Sequence, residues 1–240
     1  MKTLLSDRAL LKVSGSDSES FLQNQLSNDI TQLDSYKIQL NAYCQHQGKI
    51  IGLFWVMRYE GSFLLSFPKD LIEVIKSRLQ MFVIMSDVII EDISESYDQI
   101  GLIDKKQPNT HSINAKLSIS IEAKDIKSDI NKSLDYEWTK ACIDSLLPEV
   151  SLYTSEKFVP QMLNLDINEI GVSFSKGCYP GQEVVARLHY LGSAKRRLFS
   201  FTSDKEIQVG DSLYCHTSKA AKIRGDRYKG SGIVVSKVKY

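Results

Sequence analysis

Three strand patterns joined by two tight turns place the strongest constraint on the fold of this chain. Residues 38–44 alternate between apolar and polar side chains, which is typical of a half-buried β-strand. The segment 46–49 (HQGK) predicts a hairpin turn into a second strand, and 60–61 (EG) predicts a turn into a third. Because consecutive hairpins pair antiparallel, these patterns favour an α+β fold over a doubly wound parallel sheet.

Helical patterns interrupt the strands at three places. Ser16 and Glu19 have the spacing of a capping box, which predicts that a helix begins there. A second helix is predicted within 69–83, with one apolar face formed by Leu71, Ile72, Ile75, Leu79 and Phe82. A third is predicted over 135–147, ending before Pro148. Further strands are predicted at 8–13, 88–93, 97–103 and 115–123.

The chain is predicted to have two parts, a body at 1–192 and an all-β domain at 193–240. From about Arg196 the sequence consists of short alternating segments separated by turns at 209–211, 225–226 and 229–230. Residues 187–240 contain 12 Lys+Arg against 4 Asp+Glu, whereas 1–186 contain 18 against 25. A basic C-terminal part on an acidic body suggests an anionic partner, although a merely solvated end would have the same composition.

Several classes of protein are disfavoured by what the sequence lacks. The four cysteines, Cys44, Cys142, Cys178 and Cys215, form no C-x-x-C pair, which argues against a zinc ribbon and a secreted disulfide scaffold. No His cluster predicts a metal site. Phosphate-loop and dinucleotide fingerprints are absent. No apolar run reaches the roughly 18 residues of a membrane span, and the N-terminus lacks a signal-peptide pattern. We therefore expect a cytoplasmic protein without a membrane partner.

The segment 175–187, SKGCYPGQEVVAR, carries the strongest candidate for chemistry. Cys178 lies between Gly177 and Gly181 in a stretch too kinked for a core strand, so we expect its thiol to be exposed. Lys176 and Arg187 are near in sequence and would favour the thiolate. The segment therefore predicts a nucleophile or a soft-metal ligand. The alternative is a tight turn in which the small residue happens to be cysteine.

A helix is predicted to begin near Gly181, with Gln182 and Glu183 in its first turn. Its free N–H groups would also favour an anion at the cysteine. His189 follows Cys178 by 11 residues and could activate it, but such pairs are usually set by the fold rather than by spacing. Trp138 on the third predicted helix could stack on a flat ligand, and a core position is the alternative.

Basic residues with interleaved tyrosines in the C-terminal part form a pattern that could contact single-stranded RNA. They are Lys195, Arg196, Arg197, Lys219, Lys222, Arg224, Arg227 and Lys229, with Tyr214 and Tyr228.

The segment 176–187, KGCYPGQEVVAR, resembles the signature K-G-C-Y-x-G-Q-E of the YgfZ family. These are folate-binding proteins related to the aminomethyltransferase of the glycine cleavage system. Four other segments resemble parts of the same family in the same order, at 13–30, 43–50, 158–179 and 191–198. The resemblance therefore extends over nearly the whole chain.

The resemblance implies a ring-like α+β body with a central folate pocket and a small C-terminal β-barrel. It implies tetrahydrofolate or a derivative as the ligand, and a role in maintaining iron–sulfur enzymes, including those that thiolate tRNA. Iron–sulfur enzymes, cluster-assembly proteins and tRNA are the partners it suggests. The signature residues it identifies are the thiol Cys178 with Lys176, Gly177, Tyr179, Gly181, Gln182, Glu183 and Arg187.

Trp138 matches a family tryptophan linked to folate binding, whereas Arg8 falls where a second tryptophan is usual. Arg8 could stack on the pterin or pair with the glutamate tail. The related aminomethyltransferase has acidic residues where this chain has Gly52 and Leu53, which cannot act as general acid or base. A folate-binding accessory protein is therefore the leading hypothesis. A folate-dependent one-carbon transferase and an RNA-binding module are the alternatives.

Overall fold

The computed structural model describes residues 1–104, 108–124, 135–207, 212–215, 218–222 and 228–237. The helices are α1 Ser18–Gln25, α2 Ile72–Gln80, α3 Asp135–Asp144 and α4 Gln182–Leu191. The strands are β1 Lys2–Leu4, β2 Arg8–Ser14, β3 Gln39–Cys44, β4 Ile50–Tyr59, β5 Ser62–Pro68, β6 Ile89–Asp92, β7 Tyr97–Ile103, β8 Thr110–Ser112, β9 Leu117–Ala123, β10 Arg196–Ile207, β11 Ser212–Cys215, β12 Ser218–Lys222 and β13 Tyr228–Lys237. The predicted turns at 209–211 and 225–226, together with Arg224 and Arg227, lie outside the described residues, as do the side chains beyond residue 201.

A five-stranded antiparallel sheet in the order β3-β4-β5-β2-β6 forms the centre of the body. The three strands predicted within 38–67 are confirmed as β3, β4 and β5, and both predicted turns join them. At the second turn Glu60 and Gly61 have φ values of 47° and 74°, between the paired residues Tyr59 and Ser62. Positive φ at both central residues is typical of a type I′ hairpin turn, and the two-residue length of the turn sets the register of β4 against β5.

One face of this sheet is covered by α1 and α2. Phe21 of α1 and Ile75 of α2 pack in one cluster with Phe54 and Phe67 of the sheet. Phe54 and Phe67 are fully buried, with ring centroids 5.2 Å apart. Burial of aromatic rings is the main source of free energy for such a layer, so this cluster fixes the two helices on the sheet.

The other face of the sheet is buried as well. Trp55 of β4 lies in a second cluster with Ile119 of β9, Trp138 of α3 and Val185 of α4. Because both faces are covered, β4 contains eight consecutive buried residues. The prediction that 38–44 is half-buried is wrong for the same reason, since five of the six residues of β3 are buried.

Two further antiparallel sheets complete the structure, in the orders β1-β7-β9-β8 and β10-β13-β12-β11. The mixture of helices and antiparallel sheets confirms the α+β class. Over the part of the C-terminal region that the structure describes, the second of these sheets is open, so the expected closed barrel is not formed. Four strands are fewer than the five of the small Greek-key barrels. The domain boundary at 192/193 stays a prediction.

The first residues of β10 attach the C-terminal sheet to the body. The Arg197 guanidinium forms an ion pair with Asp166, with one nitrogen 3.0 Å from Oδ2, and donates to the Gln161 carbonyl oxygen at 2.9 Å. Asn164 donates to the carbonyl oxygen of Leu198, whose side chain is buried in the second cluster. Arg197 is therefore a structural residue and is not available to an anionic partner.

The predicted capping box at Ser16 and Glu19 is wrong, because the N-cap of α1 is Asp17 and the helix begins at Ser18. The Ser16 N–H and hydroxyl both donate to the Asp87 carboxylate, at 2.9 and 2.8 Å. Glu19 forms an ion pair with Arg58 at 2.6 Å. Ser16 and Glu19 therefore interact with residues distant in sequence and do not cap the helix.

The second and third helices are confirmed but end earlier than predicted. α2 stops at Gln80, which leaves Phe82 outside the helix and 45% exposed. α3 stops at Asp144, and Leu146 beyond it has a φ of 50°, outside the helical region.

Phe67→Ala should lower the free energy of unfolding by about 3–5 kcal/mol, because it leaves a cavity in the fully buried cluster. Phe82→Ala is the matched control, with an expected change within about 1 kcal/mol, because this ring is already in contact with solvent. Denaturant titration measures both. Equal losses in the two variants would contradict the assignment of the core.

Candidate functional site

Lys176 anchors the signature loop, residues 175–181, to the C-terminal end of α1. Its Nζ donates to the carbonyl oxygens of Gln23 and Leu26 at 2.5 Å each, and to that of Asn28 at 3.0 Å. Carbonyl groups at the end of a helix favour a cation, and the ammonium supplies the three donors that they lack. Burial lowers the pKa of Lys176 to about 8, and the nearby Asp29 carboxylate opposes this shift. Its structural role is therefore to hold the loop.

Gly181 brings the other end of the loop against the first hairpin turn. It has a φ of 81°, and an added Cβ would lie 2.4 Å from the Gln45 carbonyl oxygen and 2.7 Å from Cα of Gly48. Gly181 is also the N-cap of α4, which confirms the predicted helix start. By contrast, an added Cβ at Gly177 would meet nothing within 4 Å. The requirement for glycine is therefore steric at Gly181 and not at Gly177.

Between these two attachment points the loop exposes one side chain and buries the next. Cys178 is exposed, as predicted, whereas Cys44 is buried and Cys142 is partly buried. Tyr179 is only 6% exposed, and burial raises the pKa of its hydroxyl. The Lys176 Nζ lies 5.4 Å from the centroid of the Tyr179 ring. The thiol is thus presented to solvent from a loop that is fixed on both sides.

The first turn of α4 continues the signature. Gln182 is partly buried, and Glu183 and Arg187 are exposed. His189 lies in the last turn, which places it roughly 10 Å along the helix axis from its start. Its ring stacks on Phe174 with centroids 3.7 Å apart. Among the described residues no hydrogen bond joins the His189 ring to the Cys178 thiol, so a Cys–His dyad is not formed.

Trp138 and Arg8, the two residues predicted to bind folate, are brought into one cluster by Trp55. The Arg8 guanidinium lies 3.6 Å from the centroid of the Trp55 ring, and Trp55 meets Trp138 edge-on at 6.3 Å. Trp138 is 5% exposed and packs so closely on Gly101 that an added Cβ would lie 2.6 Å from its ring. This places Trp138 in the core, the alternative that the sequence left open.

Arg8 is held by a buried polar network that the sequence did not reveal. Its Nε donates to the Ser66 hydroxyl at 2.8 Å, its Nη2 donates to the Ser66 carbonyl oxygen at 3.0 Å, and its Nη1 pairs with Glu149. The Gln99 amide donates to the Arg8 and Ala9 carbonyl oxygens. A lone arginine at the start of an apolar strand was the only sequence signal of this ion pair, in which Arg8 is buried and Glu149 is exposed. As these side chains lie, neither Arg8 nor Trp138 presents an open face to a folate.

An open cavity of about 450 Å³ lies on the outer side of α3. Its charged lining residues are Asp104, Glu137, Lys140 and Asp144, and Lys140 pairs with Asp144 at 2.8 Å. The volume is within the range of small-molecule sites, roughly 300–1,000 Å³. It adjoins the helix that carries Trp138, but the Trp138 ring does not line it.

Gly52 and Leu53 occupy apolar surroundings. An added Cβ at Gly52 would lie 2.9 Å from Cδ1 of Ile75 and 3.1 Å from the Phe54 ring. Leu53 is 3% exposed within the second cluster. A carboxylate at either position would be desolvated without a partner, so the chain has neither the acid nor the space for one here.

In the ranges that the structure covers, no group of three or more His, Cys, Asp or Glu side chains is placed to hold a metal ion. The same ranges contain no helix whose length and apolar character would suit a bilayer crossing.

Comparison with known proteins identifies relatives over most of the chain, although no protein-family model matches it. An uncharacterized protein of Haemophilus influenzae is 32% identical over 217 residues, 87% of this chain and 76% of that protein. The tRNA-modifying protein YgfZ of Vibrio atlanticus is 30% identical over 257 residues, 97% of this chain and 78% of that protein.

The glycine cleavage system aminomethyltransferase T of Bartonella henselae has a similar structure. Its TM-score is 0.67 over 98% of this chain and 78% of that chain, with 9% sequence identity. At this identity the likeness concerns the fold alone, and it confirms the expected relation to the aminomethyltransferase fold.

Lys176→Met should remove a pH dependence of stability. The pKa of Lys176 is about 8 in the folded chain and 10.5 when unperturbed. Between these values the unfolded chain keeps a proton that the folded chain has lost, so this residue makes the free energy of unfolding rise with pH. The difference between wild type and variant should rise by up to about 1.4 kcal/mol per pH unit from pH 8 to 10.

Denaturant titrations at pH 7, 8, 9 and 10 measure that difference, in which the tyrosine and cysteine titrations common to both proteins cancel. Lys116→Met, which replaces an exposed lysine, is the control variant measured beside it. A flat difference for Lys176→Met would mean that its ammonium is not desolvated.

Gly101→Ala should lower the free energy of unfolding by about 1–3 kcal/mol, because the added methyl group overlaps the Trp138 ring. Gly177→Ala, where the methyl group meets open space, should change it by no more than about 0.5 kcal/mol. Thermal unfolding followed by circular dichroism compares the two. A neutral Gly101→Ala would show that the Trp138 ring moves freely.

Proposed function

Because this chain belongs to the YgfZ family, we propose that it is a cytoplasmic folate-binding protein that supports tRNA modification. The observation that carries the proposal is the likeness to the tRNA-modifying protein YgfZ of Vibrio atlanticus over 97% of the chain. In finer terms, the proposed role is to maintain iron–sulfur enzymes, including those that thiolate tRNA, with tetrahydrofolate or a derivative as the ligand. Those enzymes or cluster-assembly proteins are the proposed partners.

Cys178 is the proposed functional thiol. Lys176 and Gly181 fix the loop on α1 and on the hairpin turn, and the thiol between them is exposed. A group that must meet a partner protein, a cluster or a one-carbon unit needs this combination of access and fixed position. Cys44 lacks such access because it is buried, and the same burial raises the pKa of its thiol to about 12.

The folate site is proposed to involve the α3 region. The likeness to an aminomethyltransferase in fold is one support. The other is the open cavity beside α3, which is of suitable volume. A folate that contacts the Trp138 ring must displace a packing neighbour, since the ring is 5% exposed. The Gly101 contact and the Arg8–Trp55 stack are therefore expected to rearrange if the ligand reaches this ring.

The surroundings of Gly52 and Leu53 argue against a one-carbon transferase. Proton transfer at a folate needs a titratable group, and these two positions supply an apolar contact with Ile75 and a buried leucine. An accessory role that uses the Cys178 thiol agrees with the absence of a titratable group at Gly52 and Leu53.

Tetrahydrofolate should bind the purified protein saturably, and Trp138→Phe should weaken binding while Cys178→Ser leaves it unchanged. Isothermal titration calorimetry measures binding without using the tryptophans as the signal. Tyr136→Phe is the matched control and should leave binding unchanged, because it is a conservative aromatic change at an exposed position of the same helix. Absence of binding to a folded wild-type protein would contradict the folate proposal.

Cys178→Ser should fold normally and fail to restore thiolated tRNA in cells that lack the protein. Cys142→Ser, at a partly buried position on α3, should restore it. Mass spectrometry of hydrolysed tRNA gives the level of thiolation, and immunoblotting confirms equal amounts of each variant. Full restoration by Cys178→Ser would remove the thiol from the proposed mechanism.

A further inference from the structure

The exposed face of α4 carries an unusual combination of side chains. Five exposed residues follow one another at helical spacing along a single stripe, Glu183, Val184, Arg187, Tyr190 and Leu191. Tyr190 is 66% and Leu191 84% exposed. Large apolar side chains this open to water on one helix face are a common mark of an interaction surface.

An aromatic platform lies at the C-terminal end of this stripe. The rings of His189 and Phe174 stack at 3.7 Å with an interplanar angle of 19°, and Tyr190 stands edge-on to His189 at 4.8 Å. His189 and Tyr190 are exposed and Phe174 is partly buried. The contacts with Phe174 hold two exposed rings in place, as a stacking surface for flat ligands requires.

Three exposed cations on α4 and just after it have no ion-pair partner among the described residues. Arg187 is one turn back along α4, and Lys195 and Arg196 follow the helix; all three are exposed. Arg197, by contrast, is committed to Asp166, and Lys140 to Asp144. The acidic side chain of α4, Glu183, lies in the first turn, away from the platform, whereas the Glu169 carboxylate accepts a hydrogen bond from the Phe174 N–H at 3.2 Å.

We propose that the face of α4 formed by Arg187 and Tyr190, with the His189 ring beside Tyr190 and with Lys195 and Arg196 after the helix, binds single-stranded RNA. Single-stranded RNA can use both kinds of side chain, because its phosphates pair with cations and its bases stack on exposed rings. An acidic protein surface would pair with the cations but would not stack on the rings. The excess of 12 Lys+Arg over 4 Asp+Glu from residue 187 onward favours the same partner. The proposal rests on the proposed role in tRNA modification and names a surface for it.

The position of the stripe relates this surface to the thiol. Cys178 is exposed in the loop just before α4 begins, and the stripe runs from the first turn of the helix to its last. A strand bound along α4 with its bases on the platform therefore extends toward the signature loop.

The test is fluorescence anisotropy of the full chain with a labelled oligouridine RNA of about 12 nucleotides, within the site sizes of single-strand binders. Binding should weaken with KCl concentration. Arg187→Gln and the double variant Lys195→Gln/Arg196→Gln should each make the dependence on salt shallower, by about 0.7 in the log–log slope for each phosphate that the variant no longer neutralises. Tyr190→Ala should weaken binding at least about fivefold with the slope unchanged, as removal of one base-stacking ring predicts.

Lys116→Gln is the matched control, an exposed cation in the β8–β9 turn that should leave both affinity and slope unchanged. No binding by the wild type would overturn the proposal. Weakening by Lys116→Gln equal to that by Arg187→Gln would also overturn it, since the effect would then be one of net charge. Unchanged affinity in Tyr190→Ala, with equal binding of polyglutamate, would reduce the surface to a general anion site and remove the RNA assignment.

The same variants are to be titrated with tetrahydrofolate and tested for restoration of tRNA thiolation. Intact folate binding without RNA binding would reject this surface and leave the proposed function standing. RNA binding without folate binding would support this surface and contradict the folate proposal.

Discussion

Burial of both faces of the five-stranded sheet determines where the rest of the body can lie. A sheet covered on one side would leave Trp55 and Leu53 in water, so the second sheet, α3 and α4 must occupy that side. The opposite face of the sheet, which carries Phe54 and Phe67, is covered in the same way by α1 and α2. The signature loop is placed by this arrangement, because it joins elements from both sides. Lys176 reaches α1 on one side, and Gly181 starts α4 on the other.

The site combines rigid attachment with one accessible reactive group. Lys176 and Tyr179 are buried, and the backbone at Gly181 packs closely against the first hairpin turn. Cys178 remains at the surface. A cation that the sequence suggested as an electrostatic partner of the thiol is instead used to satisfy the last carbonyl groups of α1. The chemistry of the loop is thus separated from its mechanical support, although both are encoded in six consecutive residues.

Local patterns were sufficient for most of the secondary structure but not for the surroundings of the site. The existence of the three strands within 38–67, the two turns between them and the start of α4 at Gly181 depend on neighbours in sequence, and these predictions are confirmed, whereas the half-burial predicted from the alternation at 38–44 is wrong. The carbonyl partners of Lys176 lie about 150 residues away in sequence, and Glu149 lies 141 residues from Arg8. Likewise Asp87, 71 residues distant, takes Ser16 from its predicted cap. Periodicity contains no information on such pairings, which arise only when the sheets and helices have packed. For the same reason the sequence left open whether Trp138 was core or surface.

The cluster of Arg8, Trp55 and Trp138 also determines which part of this protein tryptophan fluorescence can monitor. The chain has two tryptophans, and they meet edge-on in one buried cluster with a guanidinium 3.6 Å from one ring. Tryptophan emission therefore arises from a single neighbourhood, where the two indoles are close enough to share excitation and a cation adjoins one of them. We expect a change in that emission to report on α3, β4 and the start of β2. Cys178 lies outside this cluster, so we expect a change at the thiol alone to leave the tryptophan emission unchanged.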